Sequence, residues 1–237
     1  MLVLGIDTCC MPATSAVYDG KKLVGEAIVN CGKTHSQKIM PQIEALLNSL
    51  ELKPADIDCF AVAAGPGSFT GVRIGTATIK AMAHAAGKPC AAVSTLEALA
   101  NNVPYFDGII CPILDARRNQ VYTAEFLGDG TLTRVCEDKA VSLESLLDEL
   151  KNIKKKVLFL GDGVLVYREE ILEFLGDNAK FAKGNNNLNM AGSVAELGYE
   201  AALSGDTISY AELAPNYIRL SQAERERLER KTETKEI

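Results

Sequence analysis

The chain has 237 residues, of which 47% are hydrophobic and 24% charged, and its formal net charge at pH 7 is −6. This composition is typical of a folded chain with one large or two small domains. The acidic balance excludes a protein that grips nucleic acid unaided, because phosphate neutralisation needs a concentrated lysine and arginine surface. We interpret the one dense basic run, Lys154-Lys155-Lys156, as a solvated approach to a strand.

Membrane and secretion signals are missing from the sequence. No apolar run approaches the roughly 20 residues of a membrane span, and the first seven residues do not resemble a signal peptide. We therefore expect a cytoplasmic protein with no membrane partner. Thiols there are normally reduced, and the chain has no Cys-x-x-Cys pair, so we interpret its cysteines as small buried residues: Cys9, Cys10, Cys31, Cys59, Cys90, Cys111 and Cys136.

The first hundred residues predict alternating strands and helices. Asp19-Gly20 separates two runs of β-forming residues, which indicates a hairpin because such a turn needs φ > 0. Pro41 falls within the first helical pattern, so that helix is either kinked there or begins just before it. Gly87 and Pro89 end the second helix. The expected order is β-β-β-α-β-α-β-α, with strands at 2–6, 14–18, 23–29, 59–64 and 90–93 and helices at 35–50, 70–86 and 94–100.

A second lobe follows the Asn101-Asn102-Val103-Pro104 segment, where we place the boundary between lobes at 1–102 and 103–220. The composition changes again at 221–237, which carries five acidic and five basic residues. We expect those residues to form a flexible charged tail. The second lobe is predicted to contain strands at 109–114, 121–126 and 157–160, a β-rich stretch to 141, and helices after Ser142, up to 175 and at 189–203.

The most specific motif is the glycine-rich turn and helix at 65–87. Glycines between a strand and a helix suggest a phosphate loop at a helix N-terminus. The Walker sequence is absent, however, and the dinucleotide fingerprint would need glycine at Thr70. Gly71 and Gly75 continue into the helix, where each interior glycine costs about 1 kcal/mol relative to alanine.

Three interpretations of that helix stay open. Its small residues repeat at a spacing of four and would let another helix approach closely. We favour a helix–helix interface with a partner over close packing inside the lobe or a ligand loop. The repeated positions are Gly71, Gly75, Ala77, Ala81 and Ala85.

Polar residues at strand ends are further candidates. Asp7 and Thr8 follow the first strand, where they would either hold a metal-bound phosphate or cap the strand. The turn at 115–119 contains Arg117 and Arg118, which would either bind an anion or face solvent. We interpret Gly161-Asp162-Gly163 as structural. The histidines, His35 and His84, lack any metal-ligand spacing, and no nucleophile has a paired-base signature.

These residues resemble the bacterial TsaB family, also called YeaZ, of tRNA threonylcarbamoyladenosine biosynthesis proteins. The resemblance covers about residues 1–220, is densest in the first lobe and omits 221–237. It rests on Ile6-Asp7-Thr8, His35-Ser36, Gly65-Pro66-Gly67-Ser68-Phe69-Thr70-Gly71-Val72-Arg73, Ser94 to Ala100, Asp115 to Tyr122 and Asn216-Tyr217-Ile218-Arg219.

The resemblance implies an α/β, actin-like (ASKHA, ribonuclease H-like) two-lobed fold. It also implies a subunit that dimerises with TsaD, the catalytic homologue that modifies the adenosine next to the anticodon, and that supports binding of the ATPase TsaE. The first-lobe helices of the two homologues would form a bundle. We assign the partner interface to His35, Ile39, Ile43, Leu46, Gly71, Val72, Gly75, Thr78, Ile79 and Met82, and a nucleotide-site remnant to Asp7, Thr8, Gly67 and Ser68.

The same resemblance argues against a catalytic role. Catalytic relatives carry a His-x-x-x-His metal pair, whereas the matching positions here are Thr95 and Leu99. We therefore expect no metal and no tightly bound cofactor, with weak ATP or ADP binding at the complex interface still open. A homodimer is expected when TsaD is absent, and tRNA contact only through the complex. The alternatives are an autonomous actin-like ATPase or kinase and a metalloprotease-like enzyme.

Overall fold

The structure is a computed structural model that describes residues 1–31 and 34–219. The charged tail predicted at 221–237 lies outside the described residues. In the part of the chain that is described, no helix is both long and apolar enough to cross a membrane.

The first half of the chain forms a five-stranded sheet in the predicted order β-β-β-α-β-α-β-α. The strands lie side by side as β3-β2-β1-β4-β5, with antiparallel pairing from β1 to β3 and parallel pairing from β1 through β4 to β5. Its elements are β1 (Val3–Asp7), β2 (Ala13–Tyr18), β3 (Leu23–Val29), α1 (His35–Ser49), β4 (Cys59–Gly65), α2 (Phe69–Ala86), β5 (Cys90–Ser94) and α3 (Thr95–Ala100).

The predicted hairpin is confirmed between β2 and β3. Gly20 adopts φ +90°, and the Asp19 carboxylate accepts hydrogen bonds from the backbone N–H groups of Lys21 and Lys22 at 2.8 and 2.9 Å. These bonds lower the pKa of Asp19. Helix α1 begins at His35 and runs through Pro41, so it does not begin just before the proline.

The second half forms a seven-stranded sheet. Its main order is β10-β7-β6-β11-β12, and β8 joins β6 to β9. The strand predicted at 121–126 is broken into β7 and β8, and β12, which is three residues long, escaped prediction because it is too short to show a period. The elements are β6 (Ile109–Asp115), β7 (Gln120–Thr123), β8 (Phe126–Gly128), β9 (Leu132–Arg134), β10 (Lys139–Ser142), α4 (Leu143–Lys151), β11 (Val157–Leu160), α5 (Gly163–Leu175), β12 (Ala179–Phe181) and α6 (Ala191–Ser204).

Helix α6 departs from the predicted division at residues 102 and 103. It lies within the range assigned to the second lobe, yet it packs on β1, β2, β4 and β5 of the first sheet. The approach is close: a Cβ atom added to Gly5 would lie 2.6 Å from the backbone nitrogen of Ala195. Helices α1 and α2 contribute to the other main core of this sheet, so α6 buries the face that they leave open.

Candidate functional site

A cleft of about 830 Å³ lies between the two sheets. Most of its lining comes from four short segments: the residues after β1, the turn from β4 to α2, the turn from β6 to β7, and residues 216–219. The lining carries both signs of charge, with arginines at Arg73, Arg117 and Arg219 and carboxylates at Asp115 and Asp162. Because both signs of charge are present, the lining does not by itself favour the binding of an anion.

The two predicted nucleotide-site residues that follow the first strand are already occupied by internal hydrogen bonds. Asp7 is fully buried, and its carboxylate accepts from the backbone N–H of Cys9 at 2.7 Å and from the side chain of Asn189 at 2.6 Å. Burial raises the pKa of Asp7 above its usual value, although both hydrogen bonds oppose that shift. The Thr8 hydroxyl donates to the carbonyl of Gly71 at 2.7 Å. Of the predicted set, Gly67 and Ser68 line the cleft, whereas Asp7 and Thr8 lie beneath it.

The glycines of α2 pack against this chain's own first sheet. A Cβ atom at Gly71 would collide with the carbonyl oxygen of Thr8, and one at Gly75 would lie 2.6 Å from the Thr8 hydroxyl and 3.3 Å from Val62. Close packing inside the lobe therefore explains Gly71 and Gly75, so the favoured interpretation, that these glycines face a partner, is wrong for them.

Most residues assigned to the partner interface face the interior. Their side chains are apolar, and the same apolar spacing that suggested an interface is satisfied by the core of the first lobe. His35 and Thr78 are half-buried. The buried members are Ile39, Ile43, Leu46, Gly71, Val72, Gly75, Ile79 and Met82.

The opposite side of α2 is exposed, and α1 has an exposed methionine at the edge of its buried side. Ala77, Ala81 and Ala85 repeat every four residues on α2, and Met40 on α1 is 48% exposed. Residues 75 and 77 differ by about 200° around a helix, so Ala77 points away from Gly75, whereas Ala81 and Ala85 lie about 120° and about 80° from Gly75. All three alanines are exposed, and their spacing was a signal that the sequence contained. We call Met40, Ala77, Ala81 and Ala85 the outer face.

The turn from β6 to β7 is held by hydrogen bonds of its own. Asp115 accepts from the backbone N–H of Arg117 at 2.8 Å and from the hydroxyl of Tyr167 at 3.2 Å, and its carboxylate pairs with the Arg117 guanidinium at 3.1 Å. Arg117, Arg118 and Asn119 adopt φ values of 64°, 56° and 55°. This run of three left-handed residues is unusual outside glycine.

Asp162 lies behind this turn. Its carboxylate accepts the backbone N–H of Asp115 at 3.0 Å, and burial raises the pKa of Asp162. Gly161 has φ +101°, and a Cβ atom there would collide with the carbonyl oxygen of Ile113. These contacts support the structural interpretation of 161–163.

The cysteines and histidines do not form a reactive group among the described residues. Burial raises the pKa of Cys59 and Cys111 to about 12, which disfavours the reactive thiolate. The prediction that all seven cysteines are buried is wrong for two of them, because Cys31 is exposed and Cys136 is half-buried. His35 places Nε2 2.9 Å from the carbonyl of Cys10.

The positions that match the metal pair of catalytic relatives lie in the core. Thr95 and Leu99 are both fully buried on α3. Across residues 1–31 and 34–219, no three histidine, cysteine or acidic side chains are grouped so as to hold a metal ion.

Sequence reasoning gave no role to Phe69, Arg73 and residues 216–219, which meet at the cleft. Tyr217 stacks on Phe69 with ring centroids 4.7 Å apart, and Arg73 donates to the Tyr217 hydroxyl at 2.6 Å. Residues 69, 73 and 216–219 all lie in segments that resemble the family, and this resemblance is the signal that the sequence offers for them. Their meeting depends on residues 144 positions apart.

Comparison with known proteins places these features in a family. The sequence model of the TsaD family, described as tRNA N6-adenosine threonylcarbamoyltransferase, matches residues 29–227. The tRNA threonylcarbamoyladenosine biosynthesis protein TsaB of Bacillus subtilis (strain 168) is 37% identical over 225 residues, covering 94% of this chain and 96% of that protein. The protein of the same name from Escherichia coli (strain K12) is 35% identical over 132 residues, covering 54% and 56%.

Solved structures support the fold. An uncharacterized protein from Pseudomonas aeruginosa with similarity to peptidase YEAZ superposes with a TM-score of 0.80 at 22% identity, covering 92% of this chain and 99% of that chain. The ROK hexokinase of Thermus thermophilus superposes with a TM-score of 0.52 at 12% identity, covering 86% and 100%. The expected actin-like fold is confirmed. Because the family model spans most of the chain and the Bacillus relative matches along nearly its whole length, this chain belongs to the TsaB family of tRNA threonylcarbamoyladenosine biosynthesis proteins and has a role in that modification.

Proposed function

We propose that this chain is a non-catalytic subunit that dimerises with TsaD and supports the binding of TsaE during threonylcarbamoyl modification of tRNA. When TsaD is absent, the chain pairs with itself through the same surface, since two homologues compete for one surface. The chain reaches tRNA only through the complex. It holds no cofactor tightly, and any ATP or ADP binds weakly at the complex interface.

The outer face of α1 and α2 is the observation that carries this proposal. Alanine side chains at 77, 81 and 85 are exposed and small, so a partner helix can approach to the short end of the roughly 8–10 Å range of interaxial distances. Met40 adds a flexible apolar side chain that adapts to an irregular partner surface. The inner face of the same helices is committed to the core, which leaves only this side for a partner.

The non-catalytic assignment rests on what replaces the expected chemical groups. Thr95 and Leu99 offer neither imidazole nor carboxylate where a metal pair would lie, and both are buried. Both Asp7 oxygens accept hydrogen bonds from this chain, so a metal-bound phosphate would have to displace Cys9 N–H or Asn189. An autonomous ATPase or kinase would need that carboxylate free.

The interface is tested with the variant Ala81→Arg in the full chain. A long charged side chain in the middle of the outer face prevents close helix approach and leaves a charge to desolvate, so the dissociation constant for TsaD is expected to rise at least tenfold, about 1.4 kcal/mol. Isothermal titration calorimetry against purified TsaD measures it, and light scattering after size-exclusion chromatography reports loss of the homodimer.

The matched control is Leu165→Arg, which places the same side chain at an exposed position of α5, where Leu165 is 80% exposed. That variant should bind TsaD as the parent chain does. Equal affinity of Ala81→Arg and the parent, with both folded by circular dichroism, would contradict the interface.

A further inference from the structure

We propose that residues 216–219, which we call the strap, tie the two sheets together across the mouth of the cleft and set its width. The strap is attached to the first sheet at one end and to the turn from β6 to β7 at the other. This inference does not depend on the proposed function, because it concerns a contact inside a single chain.

The attachment to the first sheet has a backbone and a side-chain part. Asn216 donates its N–H to the carbonyl of Ala64 at the end of β4, at 2.7 Å. The carbonyl oxygen of Asn216 lies so close to Gly65 that a Cβ atom there would collide with it. Gly65, with φ +121°, is therefore required for the strap to lie against β4.

Helix α2 holds the middle of the strap through aromatic and cationic contacts. Tyr217 stacks on Phe69, and the Arg73 guanidinium lies 3.9 Å from the centre of the Phe69 ring while donating to the Tyr217 hydroxyl. Stacked rings and an arginine over a ring each add stabilisation beyond the area that they bury. Arg73 is thus a positioning residue for Tyr217.

Among the described residues, the attachment of the strap to the second sheet is one hydrogen bond from a charged donor. Arg219 donates to the carbonyl of Ala116 at 3.0 Å, within the turn that has three consecutive left-handed residues. Hydrogen bonds from charged donors are stronger than neutral ones. The strap is therefore anchored firmly to α2 and by one replaceable contact to the opposite wall, so loss of that contact should let the cleft open without unfolding either sheet.

Native cysteines make this opening measurable. Cys10 lies in the cleft lining at 6% exposure, and burial raises the pKa of its thiol well above the usual range, so alkylation waits for opening. Cys59 and Cys111 are buried inside the two separate sheets and react only if those sheets unfold. When opening and closing are fast, the alkylation rate follows the open fraction.

The experiment compares the full chain with Arg219→Ala and Tyr217→Ala under N-ethylmaleimide, with the modification of each cysteine-containing peptide followed by mass spectrometry. In both variants, N-ethylmaleimide should modify the peptide carrying Cys9 and Cys10 about tenfold faster than it does in the parent. The modification rates of Cys59 and Cys111 should equal those of the parent. The control is Arg118→Ala, an exposed arginine of the same turn with no side-chain hydrogen bond or ion pair in the described structure; its rates should equal those of the parent.

Two results would overturn the proposal. Parent-like alkylation of the Cys9 and Cys10 peptide in both variants would mean that the strap does not set the cleft width. Equal acceleration at Cys59 and Cys111 would mean that residues 216–219 only stabilise the fold as a whole.

Discussion

Asp7 and Asn189 form a buried contact between distant parts of the chain. They are 182 positions apart, both are at most 3% exposed, and the amide donates to the carboxylate at 2.6 Å. A buried carboxylate costs free energy unless it accepts hydrogen bonds. The pairing therefore partly offsets the cost of burying an aspartate at the end of β1, where burial raises its pKa.

The variant Asn189→Asp tests that pairing through pH. Two facing carboxylates raise each other's pKa, so the folded state holds protons that the unfolded state has released. Stability relative to the parent should therefore be lost as pH rises above the unfolded value near 4, by about 1.4 kcal/mol per pH unit up to the raised pKa, reaching about 3 kcal/mol at pH 8. Urea unfolding at pH 5 and pH 8 measures the difference.

The exchange variant Asp7→Asn with Asn189→Asp provides the control. It returns one amide and one carboxylate to the pair, so most of the lost stability should be regained and the pH dependence should again match that of the parent. A loss of the same size at pH 5 and pH 8 in Asn189→Asp alone would show that the facing charges are not its cause.

At the scale of elements, α2 has two different faces. The glycine face lies against Thr8 and Val62 of this chain, and the outer face carries exposed alanines. A Cβ atom at Gly71 or Gly75 would lie too close to Thr8. The two glycines therefore allow α2 to pack closely against the first sheet. The same helix thus serves the core with one side and, in our proposal, a partner with the other.

The variant Gly71→Ala should destabilise the chain by about 1–3 kcal/mol, because the added methyl group meets the backbone carbonyl of Thr8, which cannot move as a side chain can. The free energy of unfolding in urea measures the effect. Gly192→Ala on α6 is the matched helix control, since its Cβ would meet the flexible side chain of Leu23 at 3.3 Å. That substitution should be neutral or stabilising; if both glycines tolerate alanine equally, the backbone of Thr8 does not limit the packing of α2.

For the whole molecule, the decisive feature is that α6 returns to the first sheet. Val3, Ala61, Ala63, Ala91, Val194 and Ala195 belong to one buried cluster. Its strand members lie before residue 102, and its members on α6 lie after residue 190. The first sheet is therefore incomplete without a segment that follows the second sheet in sequence.

A fragment of residues 1–102 should accordingly fail to fold alone, because it leaves the α6 side of the sheet exposed to water. Circular dichroism and thermal unfolding of the fragment, compared with the full chain, measure this. A cooperative unfolding transition of the isolated fragment would show that the first sheet is stable without α6.

Local signals sufficed for much of this structure. The hairpin at Asp19-Gly20, the helical period of α1 and the glycine-rich entry to α2 depend on neighbours in sequence, so the order of elements in the first lobe and the TsaB family follow from the sequence alone. The sequence could also have predicted that α2 has two different faces, since residues 75 and 77 differ by about 200° around a helix.

The tertiary structure alone decided which of those faces is buried, that Asn189 donates a hydrogen bond to Asp7, that α6 covers the first sheet, and that Tyr217 meets Arg73. Each of these depends on contacts between residues far apart in the chain. Periodicity fixes how side chains are arranged around one element, but burial is a property of the surfaces that the folded chain brings together, which is why the glycine-rich segment was recognised correctly and its face assigned wrongly.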